Sequence, residues 1–348
     1  MSAPAPETST WEELVQAELE AFFAERSRDA MRFGAQFERL WELARENSLG
    51  GKLLRPRMLL EVFDTLRPDG LGWRTAVELS VAVELLHLAF LLHDDVIDGD
   101  LLRRGHPNLV GTLVEDHGDL NWAHSSAILM GDLLTSASHL RFARIDTTRE
   151  VRLRVLDHLE RIVTETVAGE HADVALSVGV IEPDIATVAD MTTWKTAAYT
   201  CELPLRLAAI LAGAPPALEE TLAAIGRRLG LVYQLQDDLL STFGEASLHG
   251  KDRWSDLREG KQTALVAHAR GSAQWGRIEP LLGTHELTGD QALEIVALLE
   301  ECGARRFVED LVEEQLHSTR QLITGGALPG ATRLVLLRIQ HDLEGRQS

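Results

Sequence analysis

Residues 84–98 read Glu84-Leu-Leu-His87-Leu-Ala-Phe-Leu-Leu-His93-Asp94-Asp95-Val-Ile-Asp98. From Leu85 to Leu92 the run is nearly all apolar, so the helix it predicts is buried on most faces. Three carboxylates then crowd its C-terminal end. On a helix, Asp94 and Asp98 lie one turn apart on one face, and Asp95 sits about 100° further round. Acids there meet the negative end of the helix dipole and repel each other. A hard divalent cation relieves both problems, and magnesium takes one or two carboxylates together with phosphate oxygens and water. A solvated acidic helix end is the plain alternative.

Five residues past Asp98 stand Arg103-Arg104-Gly105. Their guanidinium forks match phosphate oxygens, although an Asp–Arg ion-pair network would use the same residues. A second acidic group, Gln234-Leu-Gln236-Asp237-Asp238-Leu-Leu-Ser241, closes another long apolar segment begun near Pro216, with Lys251 and Lys261 downstream. Gly50-Gly51-Lys52-Leu-Leu-Arg55-Pro56 opens a further helix, where free backbone N–H groups and the positive dipole end favour anions. Acids that gather magnesium beside arginines that grip phosphate describe a diphosphate site. His87 alone reads more simply as a core histidine, and Gly131-Asp132 and Lys195-Thr196 carry little by themselves. His93-Asp94 lacks the upstream and downstream partners a phosphohydrolase-type metal pair needs.

The apolar period is helical almost throughout, and the spacing predicts helices over 10–47, 53–65, 73–98, 119–142, 149–176, 183–197, 199–213, 216–243, 260–270, 289–301, 304–324 and 331–345. A capping pattern at Ser9-Thr10-Trp11-Glu12 starts the first, and Thr288 with Gln291 makes a second capping box. Glycine-bearing loops over 99–118 and 244–259 follow the two acidic groups. No alternating β pattern or repeat appears. The expectation is all-α: a disordered tail over 1–9 and one helical domain over 10–348.

Composition narrows the functions. With 34 Lys and Arg against 54 Asp and Glu, the 348-residue chain carries a net charge of −20. Phosphate neutralisation supplies most nucleic-acid affinity, so no nucleic-acid partner is expected. Any anionic substrate must be held by local cations or metal. Cys201 and Cys302, the two cysteines, form no CxxC pair, which argues against structural zinc or a disulfide framework. The first ten residues lack a basic start and an apolar run, unlike a signal peptide. Val81–Leu92 is interrupted by Glu84 and His87 and is too short for stable membrane insertion. A cytoplasmic protein is expected.

Together these motifs resemble the trans-isoprenyl (polyprenyl) diphosphate synthases, bacterial geranylgeranyl diphosphate synthases in particular. Asp94-Asp95-x-x-Asp98-x4-Arg103-Arg104-Gly105 matches the family's DDxxDxxxxRRG in every fixed position. Gly50-Gly51-Lys52-x-x-Arg55-Pro56 looks like GGKxxRP, Lys195-Thr196 falls on a KT pair, and Gln234-x-x-Asp237-Asp238 falls on the second aspartate-rich motif. The resemblance spans residues 45 to 270, with similar helical patterning to the end. It implies an isoprenoid-synthase-type bundle of antiparallel helices around a central cavity, as a homodimer. The implied reaction is the head-to-tail, trans condensation of isopentenyl diphosphate with an allylic diphosphate. It further implies three Mg2+ held by Asp94, Asp95, Asp98, Asp237 and Asp238. Asp94, Asp98, Lys195 and Asp237 would be catalytic. Arg103, Lys195, Lys251 and Lys261 would contact the allylic diphosphate; Lys52, Arg55, His87 and Arg104 the isopentenyl diphosphate. Thr196 and Gln234 would line the substrate site. Two positions depart from the family: Ser241 stands where a third Asp is usual, and Glu170 where Gln is.

At 1.5 Å per residue, Ala89 and Phe90 lie about 6–7.5 Å down the helix from Asp94, on the implied path of the growing chain. Small Ala89 opens that path and Phe90 narrows it, so the expected product is the twenty-carbon geranylgeranyl diphosphate. Farnesyl or longer products are the near alternatives. A class I terpene cyclase would need no Lys52/Arg55 site. A regulatory synthase subunit would not need the intact first motif.

Overall fold

In a computed structural model of the chain, the described residues are 10–67, 69–103, 105–244, 254–284, 286–325 and 328–345. The first helix, α1 (Trp11–Ala30), starts at a capping box in which Thr10 and Glu13 bond each other's backbone. The box lies one residue later than the Ser9–Glu12 spacing suggested. The single helix expected over 10–47 is two. A 3-10 turn at Met31–Phe33 and Gly34, at φ 107° and ψ 160°, separate α1 from α2 (Ala35–Ser48). That backbone conformation is open to glycine and strained for any side chain.

After α2 come α3 (Leu54–Leu66) and α4 (Trp73–Asp98), the latter matching the expected span residue for residue. The expected loop over 99–118 holds structure of its own. Strands β1 (Leu102–Arg103) and β2 (His106–Pro107) pair antiparallel, and α5 (Leu109–His117) follows, capped by Asn108. Next are α6 (Leu120–Arg144), α7 (Arg149–Ser177) and α8 (Ile185–Thr192). The chain then continues without a break through a π-helix, Thr193–Glu202, into α9 (Leu203–Ala212). Two separate helices were expected there. The remainder is α10 (Pro216–Phe243), α11 (Ser255–Glu259), α12 (Ala264–Arg270), α13 (Trp275–Ile278), α14 (Gly289–Glu301), α15 (Ala304–Gly325) and α16 (Gly330–Glu344). Lys261, expected inside a helix, lies in the turn between α11 and α12. The all-α expectation holds.

The helices form two compact units. One comprises Met1–Leu156 with Leu207–Gly213; the other comprises Asp157–Arg206 with Ala214–Ser348. In the first, α4 packs against α6, α3 and α1. Leu79, Val81, Ala82, Leu85, Leu86 and Ala89 of α4 are wholly buried, which is why its sequence is apolar on every face. Each leucine-sized side chain so buried is worth about 1.5–3 kcal/mol. At 26 residues, α4 is long and apolar enough to cross a membrane, longer than Val81–Leu92 suggested. Yet 78% of its most apolar window is buried inside the protein, as in a core helix. In the second unit, α10 packs on the π-helix and on α15.

Candidate active site

In the first unit, α4 ends at Gly99, whose left-handed φ of 73° stops the helix just past Asp98. Asp94 and Asp98, both partly buried, present carboxylate oxygens within 4.8 Å of each other. Their spacing of one helical turn makes this possible. Asp95 takes a different partner. It is 3% exposed, and its Oδ1 accepts from Nε and Nη2 of Arg103 at 3.1 and 2.5 Å. Burial pushes the Asp95 carboxyl up and Arg103 pulls it back. The guanidinium, although buried, faces Asp95, Asp94 and Asp100 and stays charged. The hairpin supplies Arg103, and Gly111 keeps it in place: a Cβ there would fall on the carbonyl of Leu101.

Behind Asp94, His93 Nε2 lies 3.5 Å from Asp132 Oδ1. Gly131 makes this contact possible, because any side chain there would strike the imidazole. The pair Gly131-Asp132, uninformative in sequence, therefore seats the residue next to the first metal-type carboxylate.

At the start of α3, Leu53 adopts a left-handed backbone, φ 47°. Such a conformation costs a branched residue roughly 1–3 kcal/mol and gathers at functional sites. It sits between exposed Lys52 and Arg55, the latter 8% exposed in the first helical turn. His87 is half-buried on α4. Arg104 and Lys251 lie outside the described residues.

The second unit joins more of the expected residues. The hydroxyl of Thr196 donates to Gln234 Oε1 at 3.0 Å, and Gln234 Nε2 donates to Asp238 Oδ1 at 2.8 Å. Asp238 is buried, which lifts its pKa to about 8. The Gln234 bond opposes the shift, while Asp256, Asp237 and Asp173 reinforce it. Lys195 Nζ bridges Glu170 and Asp173 at 3.0 and 2.7 Å. Lys261 Nζ lies 3.0 Å from Glu259 and 3.6 Å from Asp256. Ser241 donates to Asp256 Oδ2 at 2.5 Å, so a carboxylate from another element stands against the serine. Asp173 and Asp256 were not singled out as site residues from sequence. Their only signals were Asp173 three residues after Glu170 and Asp256 five before Lys261.

The donor set fits magnesium. Oxygen ligands and the one-turn spacing of Asp94 and Asp98, which brings two like charges together at the negative end of α4, are what a hard cation relieves.

The polyprenyl synthetase family model matches residues 38–299, which include both acidic groups and the Lys52/Arg55 start of α3. This chain belongs to the polyprenyl synthetase family. A geranylgeranyl diphosphate synthase of Methanosarcina mazei is 30% identical over 75% of this chain and 76% of its own length. A (2E,6E)-farnesyl diphosphate synthase of Mycobacterium tuberculosis is 30% identical over 87% and 81%. Among solved structures, a geranylgeranyl pyrophosphate synthase from Corynebacterium glutamicum, complexed with isoprenyl diphosphate and magnesium, superposes with a TM-score of 0.89. It is 25% identical, over 97% of this chain and 98% of that one. As a member of this polyprenyl synthetase family, the chain is an all-α prenyl diphosphate synthase, a transferase of prenyl groups.

Proposed function

We propose that this polyprenyl synthetase elongates an allylic diphosphate with isopentenyl diphosphate to geranylgeranyl diphosphate as its main product. The observation that carries the reading is the pair of carboxylate oxygens of Asp94 and Asp98, within 4.8 Å and beside the charged guanidinium of Arg103.

In the first unit, Asp94 and Asp98 would hold magnesium, which when bound neutralises the allylic diphosphate so that it can leave, and Arg103 would grip that diphosphate through charge-assisted hydrogen bonds. In the second unit, Asp237 is the carboxylate offered to magnesium, three ions being the number the resemblance implies, and Lys195 and Lys261 are the cations offered to a diphosphate. Asp95 holds Arg103 in its orientation, and the Thr196–Gln234–Asp238 chain fixes the amide of Gln234. Lys52, Arg55 and His87 would bind the second diphosphate and bring the isopentenyl double bond within reach of the allylic carbon. The new carbon–carbon bond forms as the allylic C–O bond breaks. The proton released from the adduct passes to the departing diphosphate.

Chain length rests on α4. Ala89 is wholly buried, whereas Phe90 is partly accessible. Of the two, Phe90 has accessible surface to offer the growing product, and enclosed Ala89 backs it. The enzyme acts in the cytoplasm as a homodimer. An exposed apolar set on α6, comprising Leu120, Trp122, Ile128, Leu129 and Leu140, supports that association.

The test is incubation of the purified protein with magnesium, isopentenyl diphosphate and, separately, five-, ten- and fifteen-carbon allylic diphosphates. Products are dephosphorylated and sized by mass spectrometry. Twenty-carbon product, lost with chelator, supports the reading. Product ending at fifteen carbons moves the assignment to a farnesyl synthase, and no elongation by folded protein overturns it.

A further inference from the structure

The π-helix Thr193–Glu202 carries Lys195 and Thr196 near its start and ends on Glu202. Its i→i+5 hydrogen bonding is rare, and π segments arise mostly as single turns at functional sites. This one runs for ten residues. In an α-helix, Lys195 and Glu202, seven residues apart, would share a face, since seven residues make about two turns. The wider π turn separates them.

Glycines on both flanking helices make room for it. A Cβ at Gly169 of α7 would fall on the backbone of Lys195, and one at Gly230 of α10 on that of Ala197. At Gly226 it would come within 2.6 Å of the Cα of Glu202. The far end is tied down by charge. Glu202 is wholly buried. Its Oε1 accepts from Arg161 of α7 at 2.7 Å, its Oε2 accepts from Arg227 of α10 at 2.6 Å, and Arg206 Nε lies 3.5 Å away. One carboxylate thus binds the segment to both neighbours at the point where the π register ends.

We propose that Glu202 is a positioning residue: clamped by Arg161 and Arg227, it holds the 193–202 segment in the π register and so fixes where Lys195 and Thr196 point. Without the clamp the segment relaxes toward α-helical hydrogen bonding. Each residue then turns further about the axis than in the π register. Lys195 swings away from Glu170 and Asp173, and the Thr196–Gln234 bond breaks. The proposal rests on the reading above only in assigning Lys195 to a diphosphate.

The experiment combines Glu202→Gln, Lys195→Ala and the double variant in the full chain. Binding of inorganic diphosphate with magnesium is measured by calorimetry, and amide hydrogen exchange over 193–202 is measured in the absence of ligand. Glu202→Gln should weaken diphosphate binding by about tenfold or more, the size of one lost charge-assisted hydrogen bond. It should have no further effect once Lys195 is Ala, and it should speed exchange within the segment. Glu202→Asp, which keeps the charge but shortens the reach, should fall between wild type and Gln. It also serves if Gln does not fold. Independent, additive effects of the two substitutions, or unchanged exchange over 193–202, overturn the proposal. If wild type itself binds no diphosphate, the functional reading fails, while the exchange comparison still decides whether Glu202 holds the π segment.

Discussion

Arg103 donates through both Nε and Nη2 to a single oxygen, Oδ1 of Asp95, while Asp94, one residue away, lies 3.6 Å from the same guanidinium. Adjacent aspartates of one motif thereby divide their work. Asp95 is buried with Arg103, and Asp94 stays partly open opposite Asp98. Removing one partner of a buried pair strands the other's charge and costs about 3–5 kcal/mol. Asp95→Ala should therefore lower the urea midpoint sharply. Asp94→Ala or Asp98→Ala should cost much less stability than Asp95→Ala, since both side chains are only partly buried and either loss relieves like-charge repulsion at the negative end of α4, yet abolish product formation. Equal destabilisation by all three would contradict this division.

Phe90 and Ala89 should respond in opposite senses. Phe90→Ala removes a partly accessible ring from the product path and should shift the product distribution to longer chains under excess isopentenyl diphosphate. Ala89→Phe places a ring where no free surface exists and should cost about 1–3 kcal/mol through overpacking, with shortened product from the enzyme that remains folded. A Phe90→Ala variant with an unaltered product spectrum would remove Phe90 from the path.

Gly131→Ala tests the seating of His93. The added methyl meets the imidazole at the foot of Asp94, so His93 must leave its place beside Asp132. The expectation is a small loss in thermal or urea unfolding, because the partly exposed ring can move aside, and a raised magnesium requirement for turnover. Full activity at the wild-type magnesium concentration would show that His93 does not support Asp94.

His158 governs part of the acid response. Burial, then Arg161, Arg206 and Arg227, depress its pKa from 6.5 to about 2. The unfolded chain takes up this proton below 6.5 and the folded chain does not, so its contribution to stability is lost as pH falls from 6.5 toward 2. The slope is up to about 1.4 kcal/mol per pH unit. His158→Gln should flatten the fall in urea-unfolding free energy between pH 6.5 and 4. An unchanged slope would place the acid sensitivity elsewhere.

Much of the fold is legible in the residues themselves. The apolar run before Asp94 and the Pro216 start gave α4 and α10 their exact spans, because helical periodicity and terminal residues act locally. Where the structure departs from the helical spacing, the deciding groups are distant or conformational. Gly34 splits the first helix through a backbone angle that its spacing does not announce. The π-helix joins two expected helices because Gly169, Gly226 and Gly230, on other elements, leave room for it.

The site divides in the same way. Sequence alone determined an all-α chain, the one-turn pairing of Asp94 with Asp98, the arginines after them and the basic start of α3, since each depends on spacing along one element. Only the tertiary structure decided that Asp95 serves Arg103, that Asp173 engages Lys195 and Asp256 engages Ser241, and that Glu202 anchors the segment bearing Lys195. Those pairings join residues from separate elements. Burial sets their strength by stripping away the water that would otherwise compete for each charge.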